Sequence, residues 1–169
     1  MSETWLILGA SSAMARALAR AVAENGASVL LAGRDMADLK AQATDCGLRG
    51  APVAEAVAVD ARDAGGFDAI RARAEATEGT LNIAVFVGSM PPQEDIDADP
   101  GLIDGTVMDS FTGPARLVQM LAPILEERGT GTIVGVGSVA GDRGRIGNYV
   151  YGAAKAGFHT YLSGLRNRL

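Results

Sequence analysis

Short apolar runs recur along the chain at Trp5 to Leu8, Val29 to Ala32, Val57 to Val59, Ile83 to Val87 and Ile133 to Val136, each bounded by Gly, Asp, Ser, Thr or Asn or by small residues. Runs of this length without polar alternation suit strands buried on both faces, as in a parallel sheet. Between them the period changes. Met14, Leu18, Ala21 and Val22 follow the spacing i, i+4, i+7, i+8, and Phe111, Ala115, Val118, Ala122 and Leu125 repeat it further on, which predicts amphipathic helices. The predicted order is βαβαβαβαβα. Strands alternating with crossover helices imply right-handed connections and an α/β fold: a doubly wound, Rossmann-like parallel sheet with helices on both faces and ligands at the carboxyl ends of the strands. Pro114 is expected to start or kink the long fourth helix, because it lacks the N–H of a helical hydrogen bond. Met90 to Pro100 carries three prolines and the acids Glu94, Asp95, Asp97 and Asp99. It reads as a solvated acidic loop at the ligand-bearing edge, with a cover over a substrate as the alternative.

Composition narrows the classes. A chain of 169 residues, 48% hydrophobic and 21% charged, suits one domain over residues 1–169. The net charge of −5 and the absence of a Lys/Arg cluster oppose a nucleic-acid partner and favour a small molecule. Cys46 and His159 are each the sole residue of their type, so neither an intrachain disulfide nor the usual zinc ligand set is available. Cys46 is expected to pack at a helix end, and His159 to lie on the far side of its helix or at a subunit contact. No stretch approaches the ~20 apolar residues of a membrane span, and the Met-Ser-Glu-Thr start is no basic leader, so no membrane partner and a cytoplasmic location are expected.

The chemistry gathers at strand ends. The first strand runs through Gly9-Ala10-Ser11-Ser12-Ala13-Met14-Ala15 into a helix, where a tight turn and a helix N-terminus present backbone N–H groups to a pyrophosphate. Gly9, Ser11, Ser12, Ala13 and Met14 are therefore candidate coenzyme contacts, although glycine is more usual where Ala13 and Ala15 stand, and each methyl restricts the approach of backbone to phosphate. Arg34 follows the second strand, where an NAD-selective site would place an acid. Its guanidinium suits a 2′-phosphate and favours NADP(H) over NAD(H), the alternative being a solvated loop charge. Asp60 closes the third strand and reads either as an acceptor for an adenine amino group or as a helix cap.

Tyr151 and Lys155 share a helix face at i, i+4, and Ser138 lies in the loop after the fifth strand. Here the chain resembles a divergent branch of the short-chain dehydrogenase/reductase family, whose Ser and Tyr-x-x-x-Lys groups have this spacing. The resemblance implies that Ser138 binds a carbonyl, Tyr151 is the general acid/base, and Lys155 binds the nicotinamide ribose and assists the tyrosine. It implies an oxidoreductase acting on a carbonyl or secondary alcohol, with Gly88 contacting the coenzyme by backbone, in a homodimer or homotetramer. The series Ala154, Phe158, Tyr161 and Leu165 is expected to allow that assembly. The chain departs from the family at Ser110, where a proton-relay asparagine is usual and a hydroxyl would have to hold a water instead, and at Val85-Phe86-Val87-Gly88, where Asn-Asn-Ala-Gly is usual. Tyr149 is a rival to Tyr151 but stands on a different helical face from Lys155. A dinucleotide-binding protein without turnover is the alternative reading, and a sugar-nucleotide epimerase or dehydratase a more distant one. Family members continue with further strands. The fifth strand is expected to be a long apolar edge, and the native protein to carry roughly another 60 to 90 residues.

Overall fold

The apolar runs become the parallel strands β1 (Glu3–Leu8), β2 (Ser28–Gly33), β3 (Ala54–Ala58), β4 (Thr80–Val85) and β5 (Ile133–Gly135), in a computed structural model that describes residues 2–169. Their order is β3-β2-β1-β4-β5. Leu6 sits beside Leu30 on one side and Ile83 on the other, so β1 is the central strand, and Leu6, Ile7 and Leu8 are all buried. The third strand begins earlier than its apolar run and ends before Val59, and the fourth is likewise shifted toward the N-terminus. In both cases backbone pairing with the neighbouring strand sets the ends, independently of hydrophobicity.

The helices are α1 (Ala13–Glu24), α2 (Met36–Arg49), α3 (Asp68–Glu75), α4 (Gln93–Ala98), α5 (Leu102–Val107), α6 (Gly113–Arg128) and α7 (Tyr149–Arg166). Successive strand residues point to opposite faces. Leu6 and Leu8 therefore join Ile70, Leu117, Leu121 and Phe158 in one core layer, while Ile7 joins Ala15, Ala19, Leu39 and Cys46 in the other. Cys46 is buried near the end of α2, and burial pushes its thiol up.

Two expectations are corrected. The acidic segment Met90 to Pro100 is not simply a loop: Gln93–Ala98 forms α4, with Glu94 and Asp95 in its first turn and Gln93 and Ile96 buried. Acids at a helix N-terminus complement its dipole, so the charge that suggested a loop supports a helix. The periodic run from Phe111 to Leu125 spans two elements, because Met108–Thr112 is a π turn in which Gly113 N–H donates to Met108 O. Pro114 follows it at the start of α6, where the wider turn accommodates a ring that would clash with an α-helical carbonyl. The series Ala154, Phe158 and Leu165 is buried within this chain, and Phe158 and Leu165 belong to the first core layer. Tyr161, the remaining member of the series, is partly buried against that layer.

Among the described residues β5 pairs only with β4, and at Ile133–Gly135 it is a short edge, not a long one. No helix among them is long and apolar enough to cross a membrane.

Candidate active site

Strand order reverses between β1 and β4, which opens a crevice at their carboxyl ends. Gly9 turns the chain there with φ of +77°, and a Cβ on it would stand 3.0 Å from Phe86 C and Val87 N. Only glycine allows both the left-handed backbone and the contact. Gly9 and Ala10 N–H both donate to Ala32 O, at 2.9 and 3.1 Å, and Ser12 caps α1 by accepting from Ala15 N at 3.1 Å. The Ala15 side chain is buried in the second core layer.

The crevice encloses about 220 Å³, and Gly9, Ser11, Ser12, Arg34, Asp60 and Gly88 all line it. Ala13 and Met14 do not: they are exposed on the first turn of α1. Arg34 is exposed at the rim and makes no ion pair among those found between described residues. Asp60 lies beyond β3 and accepts from Arg62 N at 3.0 Å, a local turn in place of a helix cap.

Lys155 is 3% exposed. Its Nζ donates to Val136 O at 3.2 Å and Val87 O at 3.4 Å, and no ion pair with a carboxylate reaches it among the described residues. Burial holds its ammonium below the usual lysine range. A Cβ on Gly88 would stand 3.2 Å from that nitrogen, so the backbone after β4 approaches it closely. Tyr151 is half-buried one turn earlier on α7, with Nζ 6.0 Å from its ring centre. Ser138 follows β5; its Oγ accepts from Ala140 N at 3.2 Å and its N–H donates to His159 Nε2 at 3.1 Å. His159 therefore faces the serine loop, correcting its expected place on the far side of the helix. Tyr149 turns away, its hydroxyl donating to Asp97, and that bond leads the causes that raise its pKa.

Ser110 is fully buried and donates to Ser89 O at 2.9 Å while accepting from Ser89 N at 3.2 Å. Its single hydroxyl hydrogen is thus committed to the Ser89 carbonyl. Sequence reasoning missed Asp109, Ser89 and Arg62. Arg62 Nε lies 2.6 Å from Asp109 Oδ1 and Ser89 Oγ 2.6 Å from its Oδ2, and the Arg62 guanidinium leads in holding the Asp109 carboxyl below the usual range. The signal was absent from the periodicity, since the π turn decides what Asp109 and Ser110 face.

Known proteins share this arrangement of strands and loops. An uncharacterized oxidoreductase of Myxococcus xanthus is 36% identical over 166 residues, which cover 97% of this chain and 65% of that protein. A sulfoacetaldehyde reductase of Chromohalobacter salexigens is 32% identical over 171 residues, covering 98% and 66%. The structure of a short-chain dehydrogenase from Sphingobium yanoikuyae in complex with NADPH matches with a TM-score of 0.87 at 28% identity, over 99% of this chain and 65% of that one. The chain thus spans about 65% of the length of these relatives. The family model for short chain dehydrogenases matches residues 3–169, from β1 through the whole of α7, and the chain belongs to that family.

Proposed function

We propose that the chain carries the coenzyme-binding and proton-transferring parts of an oxidoreductase that interconverts a carbonyl and a secondary alcohol, using NADP(H) in preference to NAD(H). The observation that carries the reading is the Lys155 ammonium, buried without a carboxylate and engaged by two backbone carbonyls. An ammonium has three donors, so one remains for a hydroxyl of the nicotinamide ribose. The close approach at Gly88 fits the same group, because a side chain there would crowd the Lys155 ammonium, and the left-handed turn at Gly9 holds the chain against the Phe86–Val87 backbone beside it. Gly9, Ser11 and Ser12 would hold the pyrophosphate at the N-terminus of α1, Arg34 the 2′-phosphate, and Asp60 the adenine amino group. The NADPH in the Sphingobium structure and the aldehyde in the name of the Chromohalobacter relative support this reading.

The nicotinamide coenzyme, when bound, supplies or accepts a hydride. The protein's own groups handle the proton. Ser138 Oγ already accepts from Ala140 N, which leaves its hydroxyl hydrogen to donate to the substrate's carbonyl oxygen. In reduction Tyr151 passes its phenolic proton to that same oxygen, and in oxidation it takes the proton back. Negative charge left on the Tyr151 oxygen is stabilised by Lys155: opposite unit charges about 5 Å apart, at an effective dielectric near 20, attract by about 3 kcal/mol.

The test is a coenzyme titration followed by a screen of carbonyl substrates. NADPH is expected to bind about tenfold tighter than NADH, and Tyr151→Phe to bind coenzyme but turn over nothing. Coenzyme binding without any turnover, unchanged in Tyr151→Phe, would establish a non-catalytic dinucleotide-binding protein instead.

A further inference from the structure

We infer that His159 is a positioning residue for Ser138, its neutral imidazole holding the serine loop through an N–H···N hydrogen bond. The inference rests on the proposed oxidoreductase reading, in which Ser138 orients the carbonyl.

Three contacts converge on the ring. Ser138 N–H donates to His159 Nε2 at 3.1 Å. A Cβ on Gly137 would stand 2.1 Å from that nitrogen, and a Cβ on Gly141 would stand 3.1 Å from Cε1. The imidazole edge therefore lies along the backbone between two glycines, in space that any side chain at Gly137 would occupy. His159 is on α7, the helix that also carries Tyr151 and Lys155. One helix thus bears the proposed acid/base, its cation and the group that anchors the serine loop.

The bond specifies a protonation state. Nε2 accepts only with a free lone pair, so the ring proton resides on Nδ1 and the ring is uncharged. Ser138 is then gripped at two points: its N–H by His159 and its Oγ by Ala140 N, at 3.2 Å. With the main chain held at φ −155° and ψ 141°, the hydroxyl hydrogen is the remaining freedom. Loss of the His159 acceptor leaves a half-buried N–H without its partner and loosens the residue that orients the carbonyl.

Nuclear magnetic resonance of the 15N-labelled protein tests the contact. The expected result is an Nδ1-protonated tautomer of His159, with a scalar coupling between Nε2 and the Ser138 amide nitrogen. In His159→Leu the Ser138 amide exchanges with solvent at least tenfold faster. In His159→Gln, whose Oε1 reaches the position of Nε2, protection returns. An Nε2-protonated ring, an absent coupling, or equal exchange in wild type and His159→Leu overturns the inference. Kinetics supply the second arm: kcat falls about tenfold in His159→Leu and recovers in His159→Gln, with coenzyme affinity unchanged in both. Wild-type turnover with an unaltered kcat in His159→Leu refutes the positioning role alone. A wild-type protein that turns over no carbonyl refutes the oxidoreductase reading, and the role with it.

Discussion

Lys155 Nζ lies 6.0 Å from the centre of the Tyr151 ring, one helical turn away, and its hydrogen bonds go to the carbonyl oxygens of Val87 and Val136. The lysine is thus fixed by the segments that follow β4 and β5, and its charge reaches the phenol through space. Charge and ribose binding should therefore fail together when the ammonium is removed.

Tyr151→Phe is expected to abolish turnover while keeping coenzyme affinity within about threefold of wild type, because it removes a proton and little contact area. Lys155→Ala should lower both. Fluorescence titration with NADPH and a carbonyl reduction assay separate the two effects, and undiminished coenzyme affinity in Lys155→Ala would remove the ribose role.

Burial lowers the Lys155 pKa, and the sign of the resulting pH dependence follows. Unfolding returns the side chain to water, where it keeps its proton up to a pKa of about 10.4. Between the lowered and the ordinary value the unfolded chain holds more protons, so stability gains a contribution as pH rises through that window. In Lys155→Met that gain is absent. Urea denaturation of both proteins at stepped alkaline pH should show the wild type improving relative to the variant, and a constant difference would contradict the burial argument.

Arg34 stands exposed at the crevice rim. Arg34→Ala should weaken NADPH binding about tenfold or more and leave NADH nearly unchanged, since only the former carries a 2′-phosphate for the guanidinium. Equal losses measured by titration would make Arg34 a general contributor to the surface and end its selectivity role.

Ser110→Ala deletes a buried hydroxyl that both donates to and accepts from the Ser89 backbone. Groups left unpaired in the interior cost about 1–3 kcal/mol, so the denaturation midpoint should fall accordingly. A variant as stable as wild type would mean that the two backbone groups find other partners.

Much of the molecule was legible along the chain. The apolar runs around Leu6, Leu30 and Ile83 announced parallel strands because a strand covered on both faces leaves no polar alternation, and Tyr151 with Lys155 needed only helical geometry to share a face. Glycine at position 9 marked the turn after β1 because a left-handed residue there excludes side chains. The remainder depended on residues distant in sequence. Periodicity could not separate Phe158 and Leu165 in the core from an exposed assembly face, since both present the same spacing. The acids of α4 looked like a loop until Gln93 was buried against the start of α7, with its Oε1 accepting from Val150 N at 3.2 Å. A π turn, invisible to a period of 3.6, decided where Asp109 and Ser110 point. His159 met Ser138 only once α7 packed across the loop after β5. Local pattern determined which segments become strands and helices, because backbone geometry and burial act over a few residues. The partner of each polar side chain was decided by tertiary packing, because a hydrogen bond depends on where two distant segments meet.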